Sequence, residues 1–153
     1  MRPEPAHASD FDAILRLLED ARLPCADLTP AHLAHFLVLR QDDSIAGVVG
    51  MEIRGDAGLL RSLAIAEHLR GGGLAVLLVE ALEARARAIG IRTLHLLTTT
   101  AEGFFARRGY ASVDRTSVPE AILATEEFRS ICPASAACMA KSLAGRDDGT
   151  GST

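Results

Sequence analysis

The chain has 153 residues, 48% hydrophobic and 24% charged, with a formal net charge of −4; it suits one globular domain that buries a core without disulfides or a structural metal. The acidic balance argues against a broad nucleic-acid surface, and no apolar run approaches the length of a bilayer span. Only 4% of residues are aromatic, so the core is expected to be aliphatic.

The N-terminus, MRPEPAHASDFD, is acidic and proline-bearing and lacks a basic segment followed by an apolar one, so a cytoplasmic protein is expected. Arg2 to Ala6 suits a short first strand. Ser9 or Asp10 then caps a helix that carries Phe11, Ile14, Leu15 and Leu18 on one face and ends at Leu23-Pro24. Thr29 as N-cap, with Pro30 in the first turn, opens a second short helix through His35. Phe36 to Arg40 and Ile45 to Arg54 read as strands joined by turn residues 41–44, and Gly55-Asp56 reverses the chain into a third strand. An antiparallel meander of three strands results.

The most informative stretch runs from Leu59 to Gly90. Leu59 to Ala66 is an apolar run of strand length, Arg70-Gly71-Gly72-Gly73 forms a turn, and Leu74, Leu77, Leu78, Ala81 and Leu82 recur on one helical face. Successive glycines expose backbone N–H groups, and the positive end of the helix dipole favours an anion there. A pyrophosphate is the natural guest. The spacing excludes the dinucleotide fingerprint, which needs glycine at Val76, and the P-loop, which needs Gly-Lys-Ser/Thr.

Beyond Gly90, Thr93 to Thr98 reads as a buried strand parallel to its predecessor through a right-handed crossover, which makes the sheet mixed. Ala101 to Arg108 is a short helix ended at Gly109, and Tyr110 to Arg115 a strand. Ser117-Val-Pro-Glu120 matches a capping box for a helix toward Glu127, and Ala137 to Leu143 is the last strand. The domain is expected to span residues 1–144, followed by a disordered polar tail at 145–153. Cys25, Cys132 and Cys138 are read as free thiols, and the Cys132–Cys138 spacing is wider than that of common zinc hairpins. No metal is expected.

The pattern Arg-x-x-Gly-x-Ala at Arg70, Gly73 and Ala75, joined with Ala101, Phe104, Phe105, Gly109 and Tyr110 in a second block, resembles the GNAT N-acetyltransferases. The resemblance implies an α/β fold whose mixed, mostly antiparallel sheet is splayed between the fourth and fifth strands and flanked by helices on both faces. It also implies an enzyme that uses acetyl-CoA as acetyl donor, without a metal, on a small-molecule amine, as a monomer or homodimer. Leu60-Arg61-Ser62-Leu63-Ala64, Leu96-Leu97-Thr98-Thr99-Thr100, Val118-Pro119 and Cys132-Pro133-x-Ser135 narrow the likeness. They look like the amino-acid N-acetyltransferases near glutamate N-acetyltransferase, especially a small single-domain branch associated with arsenic resistance. The acceptor implied is an amino acid or an arsenic-containing analogue, and the alternative is an acyl-CoA-binding regulatory module without turnover.

The resemblance assigns cofactor contacts to Leu63, Ala64 and Ile65 on the pantetheine strand, to Arg70, Gly71, Gly72, Gly73, Leu74 and Ala75 at the pyrophosphate, and to Phe104 and Phe105. Acyl transfer to an amine needs a proton acceptor and a donor to the oxygen that gathers charge. Many relatives place Glu at the position of Leu59 and Tyr at that of Phe105, and both are missing here. Glu52 is the candidate base through water, against a solvated strand carboxylate; its parity matches Ala46, Val48 and Gly50. Thr98 and Thr99 are candidates to orient water or thiolate. Arg61 and Ser62 are candidates for the substrate, Arg61 as a two-pronged carboxylate receptor or else a surface strand residue. Tyr110 is read as a packing residue, and His95 as an ordinary hydrogen-bonded histidine.

Overall fold

The apolar residues along positions 36–65 produce three consecutive strands, and the rest of the sheet is built onto them. The structure, a computed structural model, describes residues 1–131 and 135–143; Cys132 and the expected tail lie outside the described residues. The strands are β1 (Glu4–Pro5), β2 (Phe36–Gln41), β3 (Ser44–Arg54), β4 (Ala57–Ile65), β5 (Thr93–Thr98), β6 (Ala111–Ser112) and β7 (Ala137–Ser142). Their hydrogen-bonded order is β1-β2-β3-β4-β5-β7-β6. The pairs β1–β2, β2–β3, β5–β7 and β6–β7 are antiparallel, and β4–β5 is parallel, so the sheet is mixed and largely antiparallel. The β4–β5 ladder runs from Ala57↔Thr93 to Leu59↔His95, whereas β5 stays paired to β7 as far as Thr98.

The chain forms two compact units, Met1–Glu52 with Leu60–Leu82, and Ile53–Leu59 with the chain from Glu83 onward. In the first, helix α1 (Phe11–Asp20) buries Ile14 and Leu18 among Leu28, Leu33, Phe36, Val38, Val48 and Ala64. The second helix expected from Thr29 is a 3-10 turn, Pro30–His35, with Thr29 extended before it. Asp10 caps less than it clamps. Its carboxylate accepts the His7 N–H at 2.7 Å and both terminal nitrogens of Arg40 at 3.0 and 2.7 Å. Gly50 is required by β2: a Cβ there would stand 2.3 Å from the Phe36 ring.

In the second unit, Ala57, Leu59, Val118, Ile122, Phe128 and Cys138 form a hydrophobic cluster, joined by Leu97, Val113 and Leu123. Two expectations are corrected here. The strand read at Tyr110 to Arg115 is cut to β6, because a 3-10 turn begins at Arg115. The capping box at Ser117 does not form: its hydroxyl donates to the Asp114 carbonyl at 2.8 Å, and Pro119 disfavours helical backbone at Val118, so α4 is only Glu120–Leu123, followed by a π-helical turn at Glu127–Ile131. Helix α3 (Glu102–Arg107) follows β5, and no helix among the described residues is long and apolar enough to cross a membrane.

This unit also buries a charge. Glu83 is 5% exposed and accepts the Tyr110 hydroxyl at 2.8 Å and the Lys141 ammonium at 3.0 and 3.1 Å, while Lys141 also donates to the Arg108 carbonyl at 2.8 Å. A buried carboxylate that loses its cation keeps its desolvation penalty without compensation. Lys141→Met is therefore expected to cost about 3–5 kcal/mol in urea unfolding, far more than an exposed ion pair is worth.

Candidate functional site

Strand β4 ends at Ile65, and its course is tied down by two bonds. The Ala66 N–H donates to the Ala46 carbonyl at 2.8 Å, and Arg70 Nε reaches back to the Ile65 carbonyl at 3.0 Å. A short 3-10 turn at Glu67–Leu69 precedes the glycines. Gly71 and Gly73 have φ of 87° and 83°, left-handed values that favour glycine, and a Cβ on either would meet nothing within 4 Å. The glycine turn is solvent-exposed, and α2 (Leu74–Ala88) starts immediately after it, with the Gly73 carbonyl taking the Leu77 N–H at 3.2 Å. The first-turn N–H groups of a 15-residue helix therefore follow an exposed turn in which glycines carry no side chain. This backbone geometry suits a phosphate-bearing group. Arg70, expected at the anion, uses its Nε to shape the turn.

The second feature lies within the same unit. Arg61 is 2% exposed: Nη1 donates to Asp27 at 2.7 Å and to Glu52 at 2.6 Å, Nη2 to the other oxygen of Asp27 at 2.8 Å, and Nε to Ser62 Oγ at 3.2 Å. This corrects one reading of Arg61: it is not a surface strand residue, and in this structure two carboxylates of the chain meet its charge. Glu52 is likewise buried, 7% exposed, so the solvated-carboxylate reading fails. Ser62 sits inside β4 with φ 63°. Asp27, which sequence reasoning missed, comes from the loop between α1 and the 3-10 turn at Pro30–His35. No local pattern distinguishes it from an ordinary loop carboxylate.

Asp27, His32 and Glu52 each bring a possible ligand atom within 4.8 Å of the others. The Arg61 guanidinium already bridges the two carboxylates, however, and His32 Nδ1 accepts the Thr29 N–H at 3.0 Å. In this structure these carboxylates form an ion-pair cluster around Arg61.

The remaining candidates lie in the second unit. Thr98 Oγ1 accepts the Ala101 N–H at 2.9 Å and Thr99 is exposed. Phe105 is buried edge-on to Tyr110, ring centroids 5.4 Å apart, and Phe104 meets the Phe105 ring edge-to-face at 5.1 Å. Burial and the neighbouring Glu83 charge push the Tyr110 hydroxyl far above its ordinary pKa, which suits a packing role and not proton donation. His95 departs from the expectation of a hydrogen-bonded histidine. Neither ring nitrogen has a partner among the described residues, and burial lowers its pKa, so the imidazole is neutral at physiological pH.

Residues 4–111 match the acetyltransferase (GNAT) family, and the chain belongs to that family. It is 43% identical over 70 residues to the amino-acid acetyltransferase of Azotobacter vinelandii, covering 44% of this chain and 16% of that protein. With the amino-acid acetyltransferase of Neisseria meningitidis serogroup A it shares 27% identity over 123 residues, 75% of this chain and 28% of that one. The chain thus spans less than a third of the length of these relatives. Among solved structures, it is similar in fold to N-acetylglutamate synthase from Neisseria gonorrhoeae complexed with coenzyme A and N-acetyl-glutamate, with a TM-score of 0.80, 23% identity, and coverage of 92% of this chain and 34% of that one. It is also similar to the Rv2747 protein of Mycobacterium tuberculosis in complex with CoA, with a TM-score of 0.77, 22% identity, and coverage of 93% and 99%.

The Arg61 cluster carries a pH signature. Burial raises the Asp27 pKa, but the hydrogen bonds and charge of Arg61 outweigh it and leave the carboxyl below its ordinary value of 3.8. A carboxyl depressed in the folded state contributes stability that is present above the ordinary value and lost as pH falls through the folded one. Acid unfolding of the wild type should therefore steepen below about pH 4, and Asp27→Asn should flatten that limb while lowering stability at neutral pH.

Proposed function

We propose that the protein transfers the acetyl group of acetyl-CoA to the amine of a small molecule, the α-amino group of an amino acid or of an arsenic-containing amino-acid analogue. The carrying observation is the exposed glycine turn, left-handed at Gly71 and Gly73, which opens the N-terminus of α2 directly behind strand β4. Two findings support the donor and the acceptor class: curated relatives are named amino-acid acetyltransferases, and the gonococcal synthase of the same fold was solved with coenzyme A and N-acetyl-glutamate. The arsenic-containing acceptor rests on the sequence resemblance alone.

In this reading Gly71, Gly72, Gly73, Leu74 and Ala75 hold the pyrophosphate by backbone N–H groups, with Arg70 bracing the turn, and the backbone of Leu63, Ala64 and Ile65 lines the pantetheine arm. When bound, the thioester supplies the acyl carbon: an N–C bond forms, the C–S bond breaks, and the sulfur leaves with the electron pair. A backbone donor among Leu63 to Ile65 serves the acyl oxygen as it gathers charge. The amine must shed a proton, and Glu52 accepts it through water. By the family resemblance Thr98 and Thr99 are assigned to orient water or the departing thiolate; Thr98 keeps its O–H for donation while its oxygen accepts from Ala101. A module that binds acyl-CoA without turnover is the second reading, favoured by the hydrocarbon at buried Leu59 and Phe105. A thiol-release assay over a panel of amino acids separates the two, and binding without release for every member supports the module.

Two predictions follow from these assignments. Gly73→Val must enter a left-handed conformation at a cost of about 1–2 kcal/mol and set a branched side chain over the anion surface; acetyl-CoA affinity in calorimetry should fall at least roughly tenfold, and more than in Arg70→Ala. With Glu52 as base, the wild-type rate should reach a plateau below the pKa of the amine. In Glu52→Gln the rate should instead track the amine's own ionisation, with acetyl-CoA affinity kept.

A further inference from the structure

Ser62 occupies the interior of β4 with φ 63°, a conformation that a non-glycine residue holds only where its surroundings over-determine it. The other non-glycine residues with positive φ among the described residues, Arg22 and Asp42, lie in turns between elements. At Ser62 the holding contact comes from its neighbour in sequence, Arg61, whose Nε donates to Ser62 Oγ at 3.2 Å. That guanidinium is itself gripped: Asp27 takes it on two prongs at 2.7 and 2.8 Å, Glu52 takes it at 2.6 Å, and its side chain has no exposed surface. A planar fork bound on two prongs fixes orientation as well as position, so Nε is aimed along with the other nitrogens.

The consequence lies one residue further on. Leu63 to Ile65 run from this pivot to a second anchor, where Ala66 donates to the Ala46 carbonyl and Arg70 holds the Ile65 carbonyl. Their direction is set at Ser62 and confirmed at Ile65. We infer that Asp27 is a positioning residue for acetyl transfer: through its two-pronged bond to Arg61 it holds Ser62 left-handed, and Ser62 aims the backbone of Leu63, Ala64 and Ile65. The inference rests on the acetyl-CoA reading above. It moves Arg61 and Ser62 from the substrate to the support of the strand.

Four variants test it: D27N, S62G, the double variant, and S62A. Asparagine keeps the shape of Asp27 but loses the charge and one acceptor, so the guanidinium is drawn toward Glu52 and Nε leaves Ser62. Glycine at position 62 accepts φ 63° without being held. Each protein is measured for hydrogen exchange across residues 60–66 without ligand, for acetyl-CoA affinity by calorimetry, for kcat on the best amine of the panel, and for Tm. In D27N, exchange over 62–65 should quicken and kcat should fall roughly tenfold or more, while acetyl-CoA affinity, dominated by the untouched glycine turn, should change only a few-fold. Adding S62G should return exchange toward wild type and recover part of the lost kcat, the remainder following the altered Arg61–Glu52 pair. A D27N protein with lowered Tm but wild-type exchange and kcat would make Asp27 merely structural and overturn the inference, as would a double variant no better than D27N. S62A leaves the buried ion pair intact and carries the test if D27N does not fold: it should slow transfer more than S62G, and equal rates overturn the inference. A wild type with no acetyl-CoA affinity fails at an earlier and separate point, and sinks the acetyltransferase reading together with the positioning role.

Discussion

One buried arginine between two carboxylates governs the first unit. Taking the Arg61 charge out of water is costly unless every nitrogen finds an acceptor, and here Asp27, Glu52 and Ser62 supply them within 2.6–3.2 Å. The three partners come from a loop, from β3 and from β4. Satisfying one side chain therefore fixes the relation of three segments at once, and places Glu52 in a buried position it would not otherwise reach as a charged strand residue. The same contact explains how β4 sustains a left-handed serine in mid-strand.

The glycine turn depends on that strand. Arg70, the cation of the signature, spends its Nε on the Ile65 carbonyl, so the turn is braced from the end of β4. Glycine at 71 and 73 supplies conformation: both hold left-handed φ, and a Cβ there would meet nothing within 4 Å. Anion binding by such a turn draws on many backbone donors, each contributing modestly and all oriented by the helix. A single exposed cation adds less.

The second unit solves a different problem with the same physics. Glu83, Tyr110 and Lys141 form a satisfied polar core, and satisfaction removes Tyr110 from proton chemistry because its hydroxyl already donates to a carboxylate. Leu59 and Phe105 fill their places with hydrocarbon. The acetyl transfer proposed above would accordingly lean on alignment of backbone donors more than on a strong side-chain acid.

What the sequence by itself determined follows from local rules. Apolar runs bounded by turn residues placed β2, β3, β4 and β5 close to their observed limits, and Arg70, Gly73 and Ala75 marked the glycine turn before α2, because a left-handed glycine before a helix leaves a short, contiguous trace. Where local signals competed, they misled: the Ser117 capping pattern was overridden by Pro119, and the strand expected through Arg115 yielded to a turn. Tertiary structure alone decided the fate of the charges. Arg61 read equally as a carboxylate receptor or a surface strand residue because a lone arginine in a strand has no partner within sequence reach, and Asp27 drew no functional reading. Their pairing spans 34 positions, and only the folded chain brings them together. Burial of one then compels the other, as desolvation makes an unpaired charge too costly to keep.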